Sequence, residues 1–442
     1  MKKFLCIILL MFLIVQPVSA VQLAYREGEP GYGIYLSQNS PVKIENAAVV
    51  YHLQEDYFAE SILKSSYDIT ASSTGRLEIA QPVLSSLDEF PEKNAHMSID
   101  GKPAAFKVQI GESVQPRRMR ESDPIIRSYA ETPDRYHELI QKDTIEKAKE
   151  DQQYVAPETE GILYTVQIKE NRKGNVLVEM KPAENTRILG LNSNGFERSE
   201  KLRMIYHCDG ASDNQYYFYS LGTEPEGLSV LFQSQDGNDP EPIGFTVQSE
   251  KSELLSILHS NFSAPSGIVQ EEYDAYLMRY IDRVFSDGQT VSSLDDVKSD
   301  SYTERIFYLT AEIDVAPAQT VRIETSHKVN GEWDIRNDAN RFGRYTFLPA
   351  TEGVRPDSFT ISVTPSEKTK ELKGITGALE KGADGTYKKQ LNSRTNEFVF
   401  ISQYSSNSTS GNFSILFILA GTAVCIGVVI VFASVVRKKK RP

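Results

Sequence analysis

The sequence predicts a mainly β protein: an antiparallel β-sandwich ectodomain of two or three β regions with helical insertions, plus one C-terminal transmembrane helix. Three observations carry that expectation. Apolar residues recur with period two through most of 45–404, the pattern of strands with one buried face. Gly, Asn and Asp clusters punctuate these runs as turns do. Both ends of the chain are strongly apolar and differently built.

Residues 1–20 read as a signal peptide. Lys2 and Lys3 precede the twelve-residue run Phe4–Val15, and Val18, Ser19 and Ala20 suit cleavage after Ala20. That run falls short of the roughly 20 residues a spanning helix needs. The other end carries Ile415–Val436, twenty-two residues without a charge, followed by Arg437, Lys438, Lys439, Lys440 and Arg441. The expectation is a transmembrane helix at 415–436 in contact with membrane lipid, and a basic cytoplasmic tail at 437–442. Segment 405–414 is a polar spacer. This places the protein in the cell membrane, single-pass, with its N-terminal body outside.

Between the ends, the pattern divides into a β region at 21–115, a polar and partly helical insertion or linker at 116–157, and a β region at 158–265. A helical segment at 266–303 and a β region at 304–404 complete the body. In the first region, Met97–Ile99 leads through Asp100-Gly101 to Phe106, Val108 and Ile110, and the Asp-Gly pair favours a primed hairpin turn. Thr132 and Pro133 can open a helix that runs to about Asp151. Ile162, Tyr164, Val166 and Ile168, then a polar 171–175 loop, then Val176, Val178 and Met180 read as a hairpin. Tyr273, Tyr276, Leu277, Tyr280, Ile281 and Val284 form one apolar helical face, expected to pack on the protein's own sheet. Val321, Ile323, Thr325, His327 and Val329 alternate up to Asn330-Gly331.

The ending resembles the sorting signal of Gram-positive wall-anchored proteins in its apolar stretch and basic tail. Leu348-Pro349-Ala350-Thr351-Glu352 departs from that signal: it lies more than sixty residues before the apolar run, and Glu352 replaces the Gly. Retention by the helix itself is the expectation.

Charge excludes one class of partner. The net charge is −12, and setting aside Lys2, Lys3 and the five basic residues of the tail leaves −19 on the remainder. A body that acidic is not a nucleic-acid binder, since phosphate contacts need clustered Lys and Arg. Cys6 and Cys425 lie in the two apolar ends, so Cys208 stands alone in the body and is expected to be a buried thiol beside Leu202, Met204 and Tyr206. His207 and Cys208 are neighbours on a strand and point to opposite faces. No HxH or HxxxH zinc spacing, GxSxG, SxxK or phosphate-loop sequence occurs.

Two sets of residues are candidates for binding. Asp236, Asn238, Asp239 and Glu241 offer hard oxygen ligands to Ca²⁺, without the EF-hand register; a solvated acidic turn is the plainer reading. Tyr217 and Tyr219 share a strand face opposite Tyr216 and Phe218, and an exposed pair of such rings stacks on sugar or peptide, whereas a buried pair is core. No cofactor and no catalytic residue is indicated. The expectation is a non-enzymatic surface protein that binds a partner or a surface polymer. Two alternatives stand beside it: an accessory or sensory subunit of a membrane complex, whose partner is another membrane protein, and a surface hydrolase whose carboxylates meet only in the fold.

Overall fold

The structure is a computed structural model that describes residues 25–26, 28–36, 40–54, 59–114, 159–168, 172–183, 186–210, 214–236, 239–286, 290–334, 342–349 and 354–404. The expected signal peptide, the 116–157 segment with its helix from Thr132, the spacer, the transmembrane run 415–436 and the basic tail lie outside those residues. Among the described residues no helix is long and apolar enough to cross a membrane. Strands predominate, in several antiparallel and mixed sheets.

The largest sheet has eight strands in the order Glu380–Lys381, Tyr387–Asn392, Ser358–Thr364, Val42–Leu53, Glu60–Ala71, Thr320–Asn330, His96–Ile99 and Lys102–Pro103. Along Thr320–Asn330 the alternation is strict: Val321, Ile323, Thr325, His327 and Val329 are buried, and the residues between them are not. In Val42–Leu53 the alternation slips once, and the cause is local. A bulge between Ile44 and Asn46 inserts one residue, leaving Glu45 and Asn46 both exposed before Ala47 returns to the core face. The Asp100-Gly101 turn takes positive φ at both positions, 52° and 72°, and joins the paired residues Ile99 and Lys102.

Chain segments distant in sequence share these sheets. Glu60–Ala71 pairs with Thr320–Asn330 in the large sheet, while the strands joined to them, Gly75–Ser85 and Arg305–Val315, pair in a separate four-stranded sheet. A further sheet is built on Phe342–Leu348 and Phe398–Tyr404. All three contribute to one core, which includes Val49, Leu63, Phe307, Ile323, Phe347 and Phe400.

Residues 159–253, with Val291–Ser293, form a second pair of sheets. One runs Phe245–Glu253, Glu160–Ile168, Gln215–Leu221, Arg187–Gly190 and Val291–Ser293; the other runs Gly195–Arg198, Leu202–Asp209, Lys173–Lys181, Glu226–Ser234 and Glu241–Pro242. Val166, Phe218, Val178, Met204, Tyr206 and Cys208 fill the space between them. The expected 162–180 hairpin is corrected here. Glu160–Ile168 and Lys173–Lys181 belong to different sheets, so the two strands do not pair as a hairpin. Period two fixes which residues face inward in either arrangement, and a loop of this length serves both.

Three helices follow among the described residues: α1 (Leu254–Asn261), α2 (Gln270–Ser286) and α3 (Leu294–Ser301). Tyr273, Tyr276, Leu277 and Ile281 of α2 are buried in the large core, as the spacing predicts. Arg279 donates to the Ile110 carbonyl at 2.9 Å, which ties α2 to strand Lys107–Ser113. Ser293 caps α3 and closes a reciprocal capping box with Asp296.

Candidate functional site

The sheet Phe245–Glu253/Glu160–Ile168/Gln215–Leu221 has two faces of different character. Tyr164, Val166, Tyr216 and Phe218 point into the sandwiched core, where Tyr164 stacks on Phe218 with ring centroids 4.6 Å apart. The opposite face carries Tyr217 and Tyr219, and the structure separates these two. Tyr219 is fully buried and packs with Leu189, Leu221 and the residues of the helical segment. Its hydroxyl donates to the Ser252 carbonyl at 2.7 Å and lies 3.3 Å from the Thr159 carbonyl. Burial pushes that hydroxyl up to about 12, so it stays a donor. Gly161 makes the arrangement possible: a Cβ there would fall 2.6 Å from the Tyr219 ring. Tyr219 is core.

Tyr217 is half-exposed, one row further along the strand. Strand register aligns Gln248, Thr165 and Tyr217 in one row across three strands, and Thr246, Gln167 and Gln215 in the next. Every residue of the two rows is uncharged. Gln167, Gln215, Thr246 and Gln248 are exposed. The Tyr217 hydroxyl donates to the side-chain oxygen of Gln215, so the ring leans along the strand. Its backbone is held on several sides: the N–H donates to Asn192 Oδ1 at 2.8 Å, and the carbonyl accepts from Leu191 N at 3.0 Å and Tyr206 Oη at 3.2 Å. Asn192 Nδ2 donates to the Gln215 carbonyl at 3.1 Å, which fixes the neighbouring turn of strand as well. The result is a half-exposed aromatic ring on a firmly held strand, within a neutral, amide-rich strip of sheet.

The amides and threonines are the residues that sequence reasoning missed. Their signal was present as the alternate positions Thr165/Gln167, Gln215/Tyr217 and Thr246/Gln248. It becomes legible only when the pairing of the three strands is known.

The acidic candidate is described only in part. Asp236, Asp239 and Glu241 are exposed, and Asn238 lies outside the described residues. Glu241 is engaged by Arg172, whose guanidinium lies 4.4 Å above the Phe232 ring. Among the described residues no group of three or more His, Cys, Asp or Glu converges as a metal site would require. Cys208 is buried with Leu202, Met204 and Tyr206, and its thiol donates to the Arg172 carbonyl at 2.8 Å.

No protein-family model matches this chain, and no curated protein matches it. Among solved structures it is similar to a proposed nutrient binding protein from Legionella pneumophila, with 6% identity over 86% of this chain and 72% of that one, at a TM-score of 0.28. The two backbones superpose too loosely for the likeness to carry anything about fold or function.

Proposed function

We propose that this protein is a single-pass, membrane-anchored extracellular β-sandwich protein that binds an uncharged surface polymer without catalysis. The anchoring rests on the sequence of the two apolar ends. The binding reading is supported by one observation above others: the half-exposed Tyr217 ring stands among two rows of amides and hydroxyls on one sheet face. Neutral glycans present hydroxyls to such amides and C–H faces to such rings.

Co-sedimentation tests this reading. Full-length protein in lipid nanodiscs is mixed with insoluble neutral polysaccharides and, in parallel, with anionic ones. Retention on a neutral polymer that falls about ten-fold in Tyr217→Ala is the expected result, equivalent to roughly 1.4 kcal/mol. Binding confined to anionic polymers, or unchanged in Tyr217→Ala, contradicts it.

A further inference from the structure

We propose that strand Phe245–Glu253 pairs, antiparallel and edge to edge, with the same strand of a second copy of this chain. The strand ends its five-stranded sheet and is paired on one side only, with Glu160–Ile168. At nine residues it is the longest sheet-edge strand among the described residues, and seven of the nine are exposed. The next longest, Lys107–Ser113, is occupied by α2 through the Arg279 bond to the Ile110 carbonyl. The phase of the ladder is fixed by Leu254 N, which donates to the Thr159 carbonyl at 3.2 Å. Even-numbered residues therefore turn their backbone groups toward Glu160–Ile168, and Val247, Ser249 and Lys251 turn theirs outward. Outward N–H and C=O groups in a row are a template for another strand.

Side-chain chemistry selects the occupant and the register. Outward residues must face outward residues, and full overlap of two copies meets that condition about a two-fold axis at Ser249. Ser249 then faces its own counterpart, Val247 faces Lys251, and Gln248 faces Glu250. Each Glu250 carboxylate has an amide donor in front of it, and the two carboxylates lie on a diagonal instead of opposite each other. The Lys251 stem covers Val247, an apolar side chain left 38% exposed in the single chain. Sliding the strands toward their C-terminal ends sets first Glu250 and then Lys251 against its own counterpart, and sliding the other way shortens the ladder. The contact uses the same patch on both copies, so it closes at two. It merges two five-stranded sheets into one, with the Tyr217 strip of each copy on the same face. The pairing stands whether or not the polymer reading does.

Disulfide cross-linking in cells expressing the full-length protein tests the pairing, in a Cys425→Ser background with copper–phenanthroline as oxidant. The blank is Ser199→Cys, at an exposed position between strands of the opposite sheet. Ser249→Cys should give at least about ten-fold more linked dimer than the blank, because facing residues of a hydrogen-bonded pair lie about 5.5 Å apart at Cα, within disulfide reach. Val247→Cys and Lys251→Cys should each link poorly alone and link to each other when coexpressed. Ser249→Pro removes an outward N–H and spares the ladder to Glu160–Ile168, so it should abolish that coexpressed link with thermal stability little changed. Linking at Ser249→Cys no stronger than at Ser199→Cys, linking of Ser249→Cys to a different protein instead, or a coexpressed link that is absent or indifferent to Ser249→Pro overturns the proposal.

Discussion

The ammonium of Lys93 sits 2.5 Å from the carboxylate of Glu29, and both side chains are almost wholly buried. Glu29 accepts two more bonds from Asn330, from the backbone N–H and from Nδ2, each at 3.2 Å. The pair therefore joins the N-terminal segment, the short 3₁₀ helix Phe90–Lys93 and the end of strand Thr320–Asn330.

Removing one partner leaves the other charge buried without compensation. Lys93→Met should cost about 3–5 kcal/mol of stability, measured by chemical denaturation. The double change Lys93→Met with Glu29→Gln should recover much of that loss. A single variant as stable as the wild type would show that the pair is solvated in solution.

His327 lies close enough to Lys93 to feel its charge. Burial first, and the nearby ammonium second, push the imidazole down to about 3. Its Nδ1 has no hydrogen-bond partner among the described residues. The folded protein thus holds this ring neutral, while the unfolded chain takes up a proton near pH 6.5. Stability attributable to His327 is complete above that pH and falls as pH drops from about 6.5 toward 3, by about 1.4 kcal/mol per unit. His327→Asn should flatten this part of the stability–pH curve. An unchanged slope would place the acid sensitivity elsewhere.

Much of the secondary structure was legible because period-two burial is written residue by residue, as in Val321–Val329. The Asp100-Gly101 turn was legible for the same reason: few other residue pairs tolerate two positive φ values. Partner choice was not. Glu160–Ile168 and Lys173–Lys181 look like a hairpin in sequence and occupy opposite layers in space, since inward and outward alternation is the same in both. Tyr217 and Tyr219 could not be told apart either. Tyr219 belongs to the large core, which also takes in helical residues from beyond residue 253, and it sits where Gly161 has no side chain. Buried charges such as Glu29 and Lys93 leave no periodic trace at all.

The Gly161 contact yields a third expectation. A Cβ at this position would meet the Ser220 carbonyl at 2.5 Å as well as the Tyr219 ring. Gly161→Val should destabilise the protein by about 1–3 kcal/mol through overpacking. Part of that loss should vanish when Tyr219→Ala is combined with it, while the part set by the backbone contact remains. Additive losses in a denaturation cycle would mean that Tyr219 does not rest on Gly161.

The most direct test of the binding account is the affinity of the full-length protein for one soluble neutral oligosaccharide, compared by calorimetry among wild type, Tyr217→Phe and Tyr217→Ala. Tyr217→Phe keeps the ring and loses only the bond to Gln215, so it should bind within a few-fold of wild type. Tyr217→Ala should bind about ten-fold more weakly, with thermal stability little changed because the side chain is half-exposed. Equal affinity in all three proteins would contradict the account.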